Sequence, residues 1–458
     1  MFQKILVANR GEIAVRIIRA CRELNIKTVA VYSTADEDAL HMQLADEAVC
    51  IGPPKASDSY LNIHNILSAA VLTGAEAIHP GFGFLSENSL FAAMCEEVNV
   101  TFIGPDKQII EQMGNKSNAR EMMIKAGVPV IPGSSSSITT LDELHANVKD
   151  IGLPVIIKAV AGGGGKGMRM VFEADELEER FLQAQSESKA AFSDDRMYVE
   201  KIIKPAKHIE VQILADHYGH VVHLGERDCS LQRNHQKIVE EAPSSSLSEE
   251  TRKRICESAV RAAEGVGYKN AGTIEFLVDE QNDFYFMEMN TRIQVEHPIT
   301  EMITHIDIVK EQIAIAAGEQ LSFTQSDVEM AGHAIECRIN AENPGFNFAP
   351  SPGEISYLNM ASGGLGLRVD TAMFAGGIIP PHYDSMIAKI ITHGNTREEA
   401  ISKMKRALGE TVIEGVQTNL EFQMDLLSHP AFVTGDYTTD TLSETIILDW
   451  LEDRRDLE

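Results

Sequence analysis

Phe284-Tyr-Phe-Met-Glu288-Met-Asn290-Thr-Arg292-Ile-Gln294-Val-Glu296-His-Pro298 is the stretch on which the reading of this chain turns. At the two-residue period of an extended chain, Glu288, Asn290, Arg292, Gln294 and Glu296 all point one way. The opposite parity, Met287, Met289, Ile293 and Val295, supplies an apolar back that a solvated edge strand would not need. Just upstream, Thr273-Ile-Glu275-Phe-Leu277-Val reads as a second strand, and Asp279-Glu-Gln-Asn-Asp283 as a polar turn. A hairpin folded about Gln281 and Asn282 sets Glu275 opposite Glu288. Facing carboxylates repel in a sheet, and a divalent cation held between them removes the conflict. The ligands are hard oxygens with no His or Cys at ligand spacing, which selects magnesium shared with a phosphate over a plain charged ribbon.

The composition bounds the rest. A chain of 458 residues is too long for one core and should divide into roughly three domains. Lys plus Arg number 40 against 68 Asp plus Glu, a formal charge of −28, which argues against nucleic acid or an anionic membrane as partner. The six cysteines form no CxxC pair, so neither zinc nor a disulfide framework is indicated. Met1-Phe-Gln-Lys-Ile-Leu-Val reads as a strand and not a signal peptide, and no apolar run could span a bilayer. The expectation is a cytoplasmic protein.

Outward from the hairpin, the first hundred residues alternate strand and helix: strands at 4–8 and 28–32, a strand in AEAIHP and another from Val100. Helical patterns run over 12–24, 61–72 and 88–97, which predicts an open parallel sheet. Only Gly11 occupies the first turn, so the dinucleotide fingerprint is missing. The loop His79-Pro-Gly-Phe-Gly-Phe-Leu-Ser-Glu87-Asn88 follows a strand, with Ser86 a candidate helix cap. A helix is predicted within 114–130, with Lys116 near its start. Next comes strand, glycine loop, strand: Pro154-Val-Ile-Ile-Lys158-Ala-Val-Ala-Gly162-Gly-Gly-Gly165-Lys166-Gly167-Met-Arg169-Met-Val. The segment following the loop is a strand, and no Ser or Thr follows the Gly-Lys, so both the Rossmann and the Walker A readings fail. Bare amides in a loop flanked by Lys158 and Lys166 can close over phosphate oxygens; four successive glycines cost an ordering entropy that a plain turn need not bear.

Met197-Tyr-Val-Glu200-Lys201-Ile-Ile203 is a strand ending at Lys204-Pro205, a candidate backbone edge for an adenine ring. His208, Glu210 and Gln212 share one face of the next strand. Glu226 to Lys237 has little apolar content and reads as exposed loop or active-site wall, with Arg233, His235 and Lys237 suggesting an anion pocket. In the last third, Glu336, Arg338 and Asn340 share a strand face, further strands fall near 353–358, 366–370 and 386–392, and helices near 396–408 and 417–428. Lys405 lies in an amphipathic helix and is structural, not a biotin-bearing lysine.

HPGFGFLSEN, GGGGKGM, EMNTRIQVEHPITE and HAIECRINAE together resemble the biotin carboxylase component of biotin-dependent carboxylases, in the ATP-grasp superfamily. The resemblance covers the chain to about residue 446. It implies an α/β and α+β multidomain fold: an N-terminal open parallel-sheet domain (1–113), an ATP-grasp domain (114–330) with a mobile glycine-rich lid at about 131–203, a C-terminal sheet-plus-helix domain (331–446) and a tail (447–458). It implies ATP-dependent conversion of bicarbonate to carboxyphosphate and carboxylation of biotin. Lys116, Lys158, Gly164, Gly165, Glu200, Lys201, Ile203, His208, Gln232 and His235, with Glu275 and Glu288, would bind ATP. Glu275, Glu288 and Asn290 would hold magnesium, or manganese. Lys237, Arg292, Gln294 and the Val295 backbone would bind bicarbonate with Glu296 as general base, and Arg338 would stabilise the biotin enolate. The chemistry agrees: a planar anion suits the fork of Arg292, and a base must lie within hydrogen-bond reach of its proton. Phe82 stands where a tyrosine is expected, and Lys166 where many members have Arg. The chain shows no biotinyl or carboxyltransferase region, so a biotin carboxyl carrier protein, separate carboxyltransferase subunits and a homodimer are expected, within a bacterial-type acetyl-CoA carboxylase making malonyl-CoA. A pyruvate or propionyl-CoA enzyme is the nearer alternative; a carbamoyl-phosphate synthetase-like domain and a non-catalytic nucleotide scaffold are more distant ones.

Overall fold

A computed structural model describes residues 1–160, 167–192, 194–234 and 236–455. The chain groups into two compact units, one of Met1–Val128, Lys207–Phe276 and Glu288–Glu458, the other of Pro129–Ala206 and Leu277–Met287.

The first unit opens with a five-stranded parallel sheet of β1 (Lys4–Val7), β2 (Lys27–Ser33), β3 (Glu47–Gly52), β4 (Ala77–His79) and β5 (Thr101–Phe102), ordered β3-β2-β1-β4-β5. Alternation along β1 builds two cores at once. Ile5 and Val7 pack with Ile13 and Ile17 of the helix Gly11–Glu23, while Leu6 packs with Val29, Val31 and Ile66 of the helix Ile63–Thr73. A strand buried on both faces reads as a continuous apolar run, which is why β1 and β2 were legible. The edge strand β3 is mostly exposed and carries no such signal. Asn88, not Ser86, caps the helix Ser89–Glu97, its side chain accepting from the Phe91 amide at 2.8 Å.

The second unit holds β6 (Val155–Ala159), β7 (Met168–Val171) and β8 (Met197–Lys201) in an antiparallel sheet ordered β7-β6-β8. Lys158 pairs with Met168 across the expected hairpin. Gly164, Gly165 and Lys166 lie outside the described residues. Helices Leu141–Ile151 and Leu177–Phe192 accompany this sheet, and Leu144, Phe181, Ile157 and Val199 share its core. The first of these helices follows the polar stretch Pro132–Ser137, and its Thr140–Glu143 capping box is a start signal the sequence reading left unused.

A larger sheet runs in the order β13-β12-β9-β10-β11-β14-β16-β15, built from β9 (Ala206–Ala215), β10 (Val221–Arg233), β11 (Gln236–Ala242), β12 (Asn270–Asp279), β13 (Phe284–Asn290), β14 (His333–Asn340), β15 (Leu367–Thr371) and β16 (Met386–Gly394). Residues 226–233 and 236–237 are therefore strand, which sets aside the exposed-loop alternative and leaves that of a site wall. Polar side chains there are paired with groups from other elements: Arg227 with Glu210, Glu226 with Arg252 and Lys237 with Glu296. A bulge between His223 and Glu226 includes Gly225 at φ +83°, where a Cβ would lie 2.2 Å from the Met330 sulfur. Beyond it, Arg227 falls opposite Glu210. The row from Glu288 to Glu296 is not one extended strand either: β13 ends at Asn290, and Glu296 is the N-cap of a helix, His297–Thr304. Pro298 lies in the first turn of that helix, where its missing N–H costs no intrahelical bond.

Candidate active site

Three buried carboxylates surround one ammonium. The Lys237 Nζ lies 2.5 Å from Glu210 Oε2, 2.5 Å from Glu296 Oε1 and 3.3 Å from Glu275 Oε1. Lys237 sits opposite Gln232 across the β10–β11 hairpin, while Glu210 and Glu275 rise from β9 and β12. Burial works against a charge on Lys237, but Cys229, Glu210, Glu275 and Glu296 outweigh it and hold the ammonium well above its ordinary range. Behind Glu210 lies Arg227, fully buried. It donates from Nε to Glu210 Oε1 at 2.5 Å, and from Nη1 to Gln212 and Thr300 at 2.9 Å each.

Glu296 is itself 0% exposed. Its second oxygen lies 3.0 Å from Arg338 Nη2, and Arg338 also donates from Nε to Glu240 at 2.6 Å. Burial favours the protonated acid, yet Lys237, Arg338 and Arg227 together hold Glu296 well below the usual carboxylate range. Glu240 takes the opposite course: burial pushes it up to about 7. It stands directly opposite Glu336 in the β11–β14 register, and Glu336 too is pushed well above its ordinary range by burial. Two like charges facing each other in a buried sheet cannot both ionise cheaply.

The hairpin end supplies the remainder. Glu275 Oε2 pairs with His208 Nε2 at 2.9 Å, and Oε1 accepts from Asn290 at 2.8 Å and Gln294 at 3.2 Å. Arg292 bridges Asn290 Oδ1 at 3.0 Å and Gln294 Oε1 at 2.9 Å, and donates to Glu87 Oε2 at 3.0 Å. Glu288 is less engaged: the Lys116 Nζ is 3.9 Å away, with Lys116 open to solvent and Glu288 half-buried. Burial, and then Glu275, raise the proton affinity of Glu288. So the sequence-predicted residues Glu275, Glu288, Asn290, Arg292, Gln294, Glu296, Lys237, His208 and Arg338 do converge, through the hairpin and helix cap instead of a single strand face.

Arg233, Lys237 and Arg338 line one small cavity of about 60 Å³ with Asn340, Phe348 and Asp384. Arg233 is anchored there by two bonds to Asn347 and lies 4.6 Å over the Phe348 ring. His235 lies outside the described residues. Phe82 is partly buried, and its carbonyl accepts from Asn9 Nδ2 at 2.7 Å. In the second unit, Lys158 Nζ lies 2.5 Å from Glu200 Oε2. The Lys201 side chain donates to the Leu153 and Gly152 carbonyls at 2.6 and 3.2 Å, and Ile203 follows the end of β8. Sequence reasoning passed over Glu87, Arg227, Cys229 and Glu240 as site residues.

The donor set answers for a metal. Glu275, Glu288 and Asn290 offer carboxylate and amide oxygens, and the proton affinity of Glu288, raised first by burial and then by Glu275, is what a bound cation would offset. Glu210, Cys229 and Glu296 also cluster at ligand distance, but the Lys237 ammonium already bridges two of them.

Known proteins resemble this chain in sequence and fold. Residues 1–110 match the biotin carboxylase N-terminal domain, 115–324 the carbamoyl-phosphate synthase L chain ATP-binding domain and 336–444 the biotin carboxylase C-terminal domain. Biotin carboxylase 1 of Bacillus subtilis (strain 168) is 58% identical over 96% of this chain and 98% of its own length. A pyruvate carboxylase subunit from Methanothermobacter thermautotrophicus is 54% identical over 97% of this chain and 90% of its own. Among solved structures, the biotin carboxylase domain dimer of Hydrogenobacter thermophilus 2-oxoglutarate carboxylase, in complex with magnesium ADP, ADP and bicarbonate, superposes with a TM-score of 0.90. It is 49% identical over 98% of this chain and 99% of that one. Fold and site thus define an ATP-dependent ligase of three-domain, ATP-grasp architecture. The chain belongs to the biotin carboxylase family, enzymes that carboxylate biotin with bicarbonate at the expense of ATP.

Proposed function

We propose that this enzyme supplies the first half-reaction of an acetyl-CoA carboxylase, charging biotin on a biotin carboxyl carrier protein and passing it to carboxyltransferase subunits that form malonyl-CoA. The observation that carries the site assignment is the bridge of Lys237 between Glu296 and Glu210, 2.5 Å from each. An ammonium, a guanidinium and a paired carboxylate in one buried pocket suit a small anion that must lose a proton. Bicarbonate bound by Lys237, Arg292, Gln294 and the Val295 backbone would add negative charge beside Glu296. That raises the proton affinity of Glu296 from its depressed resting state, so the base strengthens only when substrate is present. The deprotonated anion attacks the γ-phosphate of ATP, and the carboxyphosphate formed yields carbon dioxide and phosphate. The released phosphate takes the ureido N–H proton of biotin, Arg338, beside Glu240 and Glu296, stabilises the enolate so formed, and its nitrogen captures the carbon dioxide.

Lys116, Lys158, Gly164, Gly165, Glu200, Lys201, Ile203, His208, Gln232 and His235 are the nucleotide residues in this reading. A magnesium ion held by Glu275, Glu288 and Asn290 would neutralise phosphate charge. We take the domain boundaries as 1–113, 114–330 and 331–446, the segment 131–203 as a lid that keeps water from carboxyphosphate, and the working form as a cytoplasmic homodimer. The Methanothermobacter and Hydrogenobacter relatives favour a second reading, in which the final acceptor is a 2-oxo acid. Purified enzyme assayed with ATP, magnesium and bicarbonate tests the core of the proposal. ATPase activity should require bicarbonate and be stimulated by free biotin, and Arg338→Gln should lose biotin carboxylation while retaining more of the bicarbonate-dependent ATPase. Equal loss of both would contradict the role of Arg338. Addition of malonyl-CoA-forming or oxo-acid-carboxylating partner subunits decides the acceptor.

A further inference from the structure

Val295 is the one residue of the proposed bicarbonate pocket that acts through its backbone, and a backbone group is only as well aimed as its peptide plane. Both planes flanking Val295 are fixed by side chains that the reaction scheme does not use. The Gln294 carbonyl accepts from His297 Nδ1 at 2.8 Å, and the Val295 carbonyl accepts from Lys389 Nζ at 2.7 Å. In a trans peptide the N–H points opposite to the carbonyl. The His297 contact therefore turns the Val295 N–H away from the imidazole, and the Lys389 contact turns the Glu296 N–H away from β16.

Both side chains are buried and held in place by the fold. Lys389 is 0% exposed, in the middle of a strand whose neighbours Ile387, Ala388, Ile390 and Ile391 are buried apolar residues. A lysine there is costly unless paired. It stands between Arg338 and Asp370 in the sheet register, and its ammonium lies 3.1 Å from Glu12 Oε1 of the helix Gly11–Glu23. Burial opposes its charge, but Glu12, Glu336 and Asp370 hold it above the ordinary lysine range. His297 is likewise 0% exposed. Burial and the cations Lys389, Arg16 and Arg368 hold it well below its ordinary value. A neutral imidazole facing a carbonyl must carry its proton on Nδ1, so it is a fixed donor.

We propose that Lys389 and His297 are positioning residues, clamping the peptides on either side of Val295 and so presetting the backbone donor and the Glu296 side chain for bicarbonate. This rests on the bicarbonate reading of the site. Bicarbonate and ATP KM values are measured for Lys389→Met, for Lys389→Met/Glu12→Gln (which removes the buried partner charge and guards against misfolding), and for His297→Leu and His297→Asn. Losing either clamp should raise the bicarbonate KM about 10- to 100-fold, the cost of a charge-assisted or buried hydrogen bond. The ATP KM should stay within about twofold, because uniform nucleotide binding is untouched. Asn, whose amide can reach the same carbonyl, should restore most of the loss in the His297 variant, and Glu12→Gln alone should keep the wild-type bicarbonate KM. Parallel rises in both KM values, no rise in either, or failure of Asn to rescue would overturn the clamp. A wild-type enzyme whose ATPase ignored bicarbonate would instead overturn the site assignment beneath it.

Discussion

Glu296→Gln keeps the shape of the side chain and removes its charge. With the base gone, turnover should fall about 10²- to 10⁴-fold, the range for a positioned general base, while the ATP KM changes little. Steady-state kinetics check this, and near wild-type turnover would remove Glu296 from the role. The reason for choosing this carboxylate over its neighbours is electrostatic. Glu240 and Glu336, in the same buried region, are pushed up by burial, whereas Lys237 and Arg338 keep Glu296 ionised. Of the three, it is the one that the surrounding cations keep ionised.

Between elements, the hydrogen bonds of Arg227 tie β9, β10, β12 and the helix His297–Thr304 together through Glu210, Gln212, Thr273 and Thr300. Arg227→Met leaves Glu210 buried with one cation fewer and should lower stability by about 3–5 kcal/mol, read from denaturant unfolding; a loss below about 1 kcal/mol would mean that Lys237 alone suffices. The N-terminal sheet makes a second prediction. Burial pushes His41 down to about 4 and His79 down to about 3. In the unfolded chain both take up a proton near 6.5. The folded state therefore binds fewer protons below that pH, and the stability contribution, complete above 6.5, is lost as pH falls toward 4 and then 3. The urea midpoint should drop from pH 6.5 to 4.5, and His41→Asn should flatten that slope; an unaltered slope would contradict the assignment. These elements also show what was legible. Strands β1 and β2 announce themselves by continuous apolar runs, β14 and the hairpin of β12 and β13 by period-two patterns, and Glu288, Asn290, Arg292, Gln294 and Glu296 by the one polar run. The path of that run was misjudged, because the strand ends at Asn290 and Glu296 caps a helix where alternation suggested one continuous strand. Arg227 and Glu240 were invisible as site residues because a charged residue in a strand reads as solvent-facing until its partner, 17 residues away in one case, is known to face it.

At the scale of the whole chain, an acidic molecule of net charge −28 sets the buried or nearly buried cations Lys237, Arg227 and Arg338 among the carboxylates Glu210, Glu240 and Glu296, with Lys389 beside Glu12. Such a placement makes sense for an enzyme that must draw one small anion into its interior and join it to another, the terminal phosphate of ATP. The central claim is that bicarbonate, activated by Glu296, attacks that phosphate. Bicarbonate labelled with oxygen-18, turned over with ATP, magnesium and free biotin, reports on it directly by mass spectrometry of the inorganic phosphate released. The account predicts one bicarbonate-derived oxygen in each phosphate; phosphate carrying only solvent oxygen would show that water is the nucleophile and contradict it.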